Sequence, residues 1–178
     1  LDLGCGIGRW ADAIPEDITS YLGFDFSEDL ITIAKGRNHR ENFSFQALSA
    51  MDAARYCQDN DIPRFSHIII SGMMIYLNDI DVGRVLASLD VLTQKNAIVY
   101  IREPMGITNR LTVKDFYSEE LKHDYNTIYR TRDEYRSMIR TFAPRFEICE
   151  HGPMFENAAL NNRKETAQFY FILKKNMG

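Results

Sequence analysis

The first ten residues, LDLGCGIGRW, place glycine at three alternate positions, Gly4, Gly6 and Gly8, directly after an apolar-acidic-apolar triplet. No other feature constrains the chain as much. Glycine tolerates positive φ and leaves bare backbone for close approach. The stretch is therefore either a tight structural turn or a strand-to-helix turn against which a ligand lies.

Periodicity supplies the context. LDLG reads as a short buried strand, and RWADAI has a brief helical character that Pro15 ends. YLGFDF, residues 21–26, reads as a second strand. Ser27 follows as an N-cap with Glu28 and Asp29 in the first turn, where acids complement the helix dipole, and this helix is expected to stop at Gly36. FSFQAL, 43–48, is a third strand, with MDAARYCQD a short helix after it. FSHIIISG, 65–72, has the continuous apolar run of a strand buried on both faces. Residues 79–93 repeat apolar side chains at Val82, Val85, Leu86, Leu89 and Leu92, which is helical spacing, and AIVYI, 97–101, is another buried strand. Strands alternating with helices predict an α/β fold with a parallel sheet covered on both faces.

After residue 102 the regularity breaks for about thirty residues, longer than an ordinary connection and therefore functional or inserted. The segment is rich in aromatic and charged residues, as in DFYSEELKHDYNTIYR. Order returns at TRDE, a capping box of Thr131 and Glu134 that leads a helix to about Phe142. RFEICEHG and TAQFYFILKK then read as two closing strands.

Length and charge limit what this fold can serve. A chain of 178 residues has room for one core, so residues 1–178 are expected to form a single domain. A net charge of −4 gives no field favouring a polyanion, so neither nucleic acid nor an anionic membrane is an expected partner. No apolar run approaches the roughly 18–20 residues of a membrane span. Cys5, Cys57 and Cys149 are widely spaced, and His39, His67, His123 and His151 are scattered, which predicts no metal and a reducing, cytoplasmic setting.

In an open parallel sheet, ligands bind beyond the carboxyl ends of the strands, and the three glycines lie at that end of strand one. Asp25 closes strand two, where a carboxylate can accept hydrogen bonds from two ribose hydroxyls. Together these features point to a nucleoside. GIGRWA also matches a dinucleotide fingerprint, but Arg9 and Trp10 follow the last glycine at once, which disfavours a pyrophosphate there.

LDLGCGIGRW with YLGFDFS closely resembles the class I S-adenosylmethionine-dependent methyltransferase family, whose first motif runs acidic-x-Gly-x-Gly-x-Gly. FSHIIISGMMIYLNDID and AIVYIREPMG are similar to that family's fourth and fifth strands, so the resemblance covers most of residues 1–103 and, more loosely, the last two strands. It implies a three-layer α-β-α sandwich whose seven-stranded sheet has the order 3-2-1-4-5-7-6, with strand seven antiparallel. It also implies S-adenosyl-L-methionine as cofactor. The backbone of Gly4, Cys5 and Gly6 would pack on the methionyl and ribose parts, with Asp2 orienting that loop or meeting the ammonium group. Asp25 would hold the ribose and Phe26 would flank adenine. Candidates near the adenine amino group are Ser49, Ala50, Met51 and Asp52, while Ser71 and Gly72 would lie beside the methionyl part. Family members normally carry a helical segment before strand one, and the chain is expected to lack it.

A sulfonium methyl is already activated, so placement dominates the chemistry and an alcohol or ammonium substrate further needs a base. Glu103, just past strand five, is the expected catalytic residue, with His123 and His151 as lesser candidates. Tyr76, Tyr117, Tyr125 and Tyr129 are candidates for a pocket wall, and Arg102, Arg110 and Arg130 for gripping an acidic group; packing and solvated surface are the competing roles. Residues 104–130 are expected to form a lid. The expected activity is O- or N-methylation of a small molecule or sugar-like metabolite. The alternatives are a non-catalytic binding scaffold and methylation of a peptide terminus.

Overall fold

A computed structural model of the chain describes residues 1–118, 123–157, 161 and 163–176, with the side chains of 115–125 outside that description. Its first half alternates strand and helix: β1 Asp2–Leu3, α1 Arg9–Ala13, β2 Tyr21–Asp25, α2 Glu28–Arg37, β3 Phe43–Ala47, α3 Ala53–Asp59, β4 Phe65–Ser71, α4 Asp79–Leu92 and β5 Thr93–Gly106. One-turn 3-10 helices, Ala50–Asp52 and Met74–Tyr76, precede α3 and α4. The expected cap is present, since the Ser27 side chain accepts from the amide of Leu30 at 3.3 Å. Gly36 does not stop α2; the helix runs one residue further and Asn38 ends it.

The sheet has the order β3-β2-β1-β4-β5-β9-β8, where β8 is Phe146–Pro153 and β9 is Thr166–Lys175. Strands β1 to β5 are parallel, β9 runs antiparallel to β5, and β8 antiparallel to β9. This is the expected 3-2-1-4-5-7-6 order, renumbered because two further strands intervene. Those strands correct the expectation of an irregular segment after Arg102. β5 continues to Gly106, and β6, Leu111–Ser118, pairs antiparallel with β7, His123–Tyr129, as a separate two-stranded sheet. Alternating β-branched and aromatic residues in LTVKDFYS and HDYNTIY favour extended backbone. Residues 119–122 of the expected lid, and the side chains of Tyr117, His123 and Tyr125, lie outside the described residues.

Two clusters sandwich the sheet. On one face Val82, Leu86 and Leu89 of α4 and Ile139 of α5, Arg132–Phe142, pack on Ile68, Ile70, Val99 and Ile101. On the other, Ala11 of α1 and Ile31 and Ala34 of α2 pack on Tyr21, Phe43 and Phe45. β4 is not buried on both faces as its composition predicts: Ile68 and Ile70 are buried, Ile69 is half-buried, and Ser66 and His67 are exposed. On the face shared by His67 and Ile69 the helical cover is short. Five residues give about 7.5 Å of helix, and over β5 and β9 that face carries an aromatic row, Trp10 to Tyr100 at 5.4 Å and Tyr100 to Tyr170 at 6.4 Å between ring centroids. Among the described residues, no helix is long and apolar enough to cross a membrane.

Candidate cofactor site

The glycine turn leaves β1 with positive φ at all three positions, 75° at Gly4, 52° at Gly6 and 78° at Gly8. It is pinned to β2, since the amides of Gly4 and Cys5 both donate to the carbonyl of Phe24 at 2.8 and 2.9 Å. The glycines differ in what surrounds them. A side chain at Gly4 would strike Met73 and one at Gly8 would strike Asn38 and Phe45, whereas one at Gly6 would meet no atom within 4 Å. Gly72, at the end of β4, has the same character as Gly6, with φ 70° and open space above it. The turn is thus both structural and bare: Gly4 and Gly8 serve packing, while Gly6 and Gly72 leave backbone uncovered at the ends of two adjacent strands.

Asp25 ends β2 beside this turn. Its Oδ2 accepts from the amide of Gly6 at 2.9 Å and its Oδ1 from that of Ser27 at 3.0 Å, so the carboxylate ties the loop to the start of α2. A carboxylate has about four acceptor positions, leaving two for hydroxyl donors. Phe26 follows with 82% of its surface exposed. Met51 is also exposed, one turn beyond the end of the neighbouring β3, where the Ser49 hydroxyl caps the Ala50–Asp52 turn by accepting from the Met51 amide.

On the other side of the turn lies a crevice of about 490 Å³ lined by Gly4, Gly6, Trp10, Ala13, Ser71 and Arg102, among others. Trp10 was not singled out from the sequence. Its signal is an aromatic residue two positions after the last glycine.

Two acids turn away from the crevice. Asp2 is enclosed and accepts from the Tyr21 hydroxyl, so it anchors β1 to β2 from within the fold and does not line the crevice. Burial raises its pKa to about 6. Glu103, the expected base, is fully buried on the opposite side of β5 from Arg102, among Ile101 and Met105. Its Oε1 accepts from the amides of Met73 and Met74 at 3.1 and 3.0 Å. A side chain at the end of a strand alternates faces with its neighbour, and here the alternation turns Arg102 to the crevice and Glu103 to the core.

The remaining candidates divide in the same way. Arg110 is paired with Asp79 and Glu134, Arg130 is enclosed against Asp79 and two backbone carbonyls, and Tyr129 is buried. His151 lies on β8 against Arg136, and burial with that guanidinium holds its pKa below the ordinary value. Tyr76 remains 51% exposed. Cys5 keeps its proton, because burial pushes its thiol pKa up.

A seven-stranded sheet of this order, with bare glycine backbone at the ends of β1 and β4 and an acid closing β2, defines a class I S-adenosylmethionine-dependent methyltransferase fold. Residues 1–96 match the family described as "Methyltransferase domain", and the chain belongs to it. No curated protein matches the sequence. Among solved structures, the chain is similar to a SAM-dependent methyltransferase from Methanosarcina mazei, with TM-score 0.72 and 14% identity over 99% of this chain and 92% of that one. It is also similar to an S-adenosylmethionine-dependent methyltransferase from Mesorhizobium loti, with TM-score 0.68 and 13% identity over 98% and 89%. A third is Haemonchus contortus phosphoethanolamine N-methyltransferase 1 in complex with phosphoethanolamine and S-adenosylhomocysteine, with TM-score 0.74 and 22% identity, where the match covers 99% of this chain and 38% of that one. The chain is thus an S-adenosylmethionine-dependent methyltransferase domain.

Proposed function

We propose that the chain transfers the methyl group of S-adenosylmethionine to an oxygen or nitrogen of a small molecule or sugar-like metabolite. The observation that carries this reading is the uncovered backbone at Gly6 and Gly72, which borders open space where β1 and β4 end. The residues present fit the cofactor. Gly4, Cys5 and Gly6 offer backbone to its methionyl and ribose parts, Asp25 has acceptor positions left for the ribose hydroxyls, Phe26 offers a ring face to adenine beside Ala50 and Met51, and Ser71 stands at the methionyl end. S-adenosylmethionine supplies a sulfonium methyl that is already activated. The chain's own work is to hold the acceptor in line with it, within the single domain and with the strands β6 and β7, of the segment 104–130 expected as a lid, on the acceptor side.

Titration calorimetry with S-adenosylmethionine, S-adenosylhomocysteine and NAD tests the cofactor, with binding of the first two and none of NAD expected. Turnover of labelled methyl on a metabolite pool then tests the reaction. A second reading, a scaffold that keeps the pocket without transferring methyl, draws on one observation: the carboxylate of Glu103 is sealed in the core. Cofactor binding with no labelled product from any metabolite or peptide pool would favour it.

A further inference from the structure

Of three arginines placed to grip an acid, the fold engages two completely. Arg110 and Arg130 share Asp79, and Arg130 further donates to the carbonyls of Met74 and Leu77. Arg102 is different. Its half-buried side chain lines the crevice with Gly6 and Ser71. Its Nε–H is enclosed and has no acceptor among the described residues, and its Nη1 reaches only the Ser71 hydroxyl, at 3.4 Å. Among the described residues no aspartate or glutamate lines the crevice, and exposed Arg9 adds a second cation to its wall.

A guanidinium presents five N–H donors in a fixed planar fork that matches the paired oxygens of a carboxylate or phosphate. A buried donor without a partner is costly, and an unmatched cation in a crevice meant for a sulfonium is doubly so, because like charges repel strongly away from water. An intervening anion resolves both.

We infer that Arg102, supported by Ser71, is an oxyanion subsite of this crevice. The inference rests on the methyltransferase reading of the same site. The oxyanion has two possible sources, the carboxylate of the cofactor's methionyl part and an acidic group on the methyl acceptor. A guanidinium beside Ser71 offers donors that either oxyanion can accept.

The test uses the full chain and the variants Arg102→Gln and Arg102→Lys. Calorimetry measures S-adenosylhomocysteine, 5′-methylthioadenosine, which keeps the nucleoside and sulfur but has no carboxylate, and inorganic phosphate added to protein saturated with S-adenosylhomocysteine. Weakening of S-adenosylhomocysteine by roughly tenfold or more in the Gln variant, with methylthioadenosine unchanged and partial rescue by Lys, supports the subsite and assigns it to the cofactor carboxylate. Unchanged nucleosides with saturable phosphate binding that the Gln variant loses support the subsite and assign it to the acceptor. Two results overturn it: no effect on any probe with no phosphate binding, or equal weakening of both nucleosides, which would make Arg102 a support of the loop. Wild-type protein that binds neither nucleoside would instead sink the methyltransferase reading, and phosphate added to the protein alone would still decide for or against Arg102.

Discussion

Glu103 and Arg130 hold opposite polarities of one short segment: Glu103 accepts from the amides of Met73 and Met74, and Arg130 donates to the carbonyls of Met74 and Leu77 at 3.0 and 2.6 Å. Both side chains are fully buried. Between them they fix the chain that follows Gly72 and presents Tyr76, and neither residue lines the crevice.

Glu103 gives this clamp a pH dependence. Burial raises its pKa from 4.5 to about 7, so the folded state keeps a proton that the unfolded chain releases. Stability from this group is full below about pH 4.5 and is lost as pH rises to about 7. Glu103→Gln keeps an oxygen for both amides and cannot ionise. Its urea midpoint is expected to fall less than that of wild type between pH 5 and pH 8, by an amount on the order of 3 kcal/mol at most. Asp2, raised to about 6 by burial, keeps part of the slope in the same direction. Parallel profiles for the two proteins would remove the titration of Glu103 from the account.

Arg130 is expected to be the more costly of the two to remove. Arg130→Met fills the space but removes the guanidinium donors from two carbonyls, of which that of Met74 keeps the Leu77 amide, and takes one of two arginines from Asp79. Loss of a hydrogen bond to a charged donor costs about 1.5–3 kcal/mol, and Asp79, 51% exposed, keeps Arg110. Chemical denaturation measures it, and a loss below about 1 kcal/mol would show the contacts to be no stronger than a surface pair.

Much of this was legible in the sequence, and the part that was not has a physical cause. The alternation of apolar runs located β1 to β5, and Ser27, Thr131 and Glu134 marked their helix starts, because these signals lie within a few residues of one another. The destination of Glu103 is invisible locally: its amide partners lie about thirty residues away, and those of Arg130 more than fifty. Glutamate at a strand end is ordinarily exposed. β5 continues through Pro104, which has no N–H to donate, since pairing with β4 ends at Arg102 and β9 lies along the other side. The glycine turn was readable as a site only in part, because Gly4 and Gly6 look alike in sequence and differ in whether Met73 stands above them.

Asp25→Ala is expected to weaken S-adenosylmethionine by about 2–3 kcal/mol through loss of two charge-assisted hydrogen bonds. The same change frees the amides of Gly6 and Ser27. Asp25→Asn, which keeps an acceptor for one of them, is expected to lose less. Calorimetry on both variants checks the order, and full affinity in a folded Asp25→Ala protein would exclude the ribose role.

Gly6→Val is expected to abolish cofactor binding while the protein still folds. The new Cβ meets no protein atom within 4 Å, so packing admits it, and the strain of φ 52° at a β-branched residue costs about 1–3 kcal/mol. The space it enters is the space assigned to the ligand. Normal binding by the variant would make the turn purely structural.

The hairpin of β6 and β7 is expected to decide what is methylated. It leaves the carboxyl end of β5, the edge at which the crevice opens, and loops on that edge supply substrate contacts in sheets of this type. Exchange of the whole 104–130 segment would be a poor test, because it removes Met105, Tyr129 and Arg130, all buried, and with them the clamp on the segment after Gly72. Replacing residues 112–126 with a short Gly/Ser turn leaves Arg110 on Asp79 and Arg130 in place. Cofactor affinity should then stay within about 1 kcal/mol, since remote sites are nearly additive, while transfer of labelled methyl to a metabolite pool disappears. Transfer at the wild-type rate would show the hairpin to be packing alone and would move the search for the acceptor site to Tyr76, exposed at the end of the segment that Glu103 and Arg130 hold.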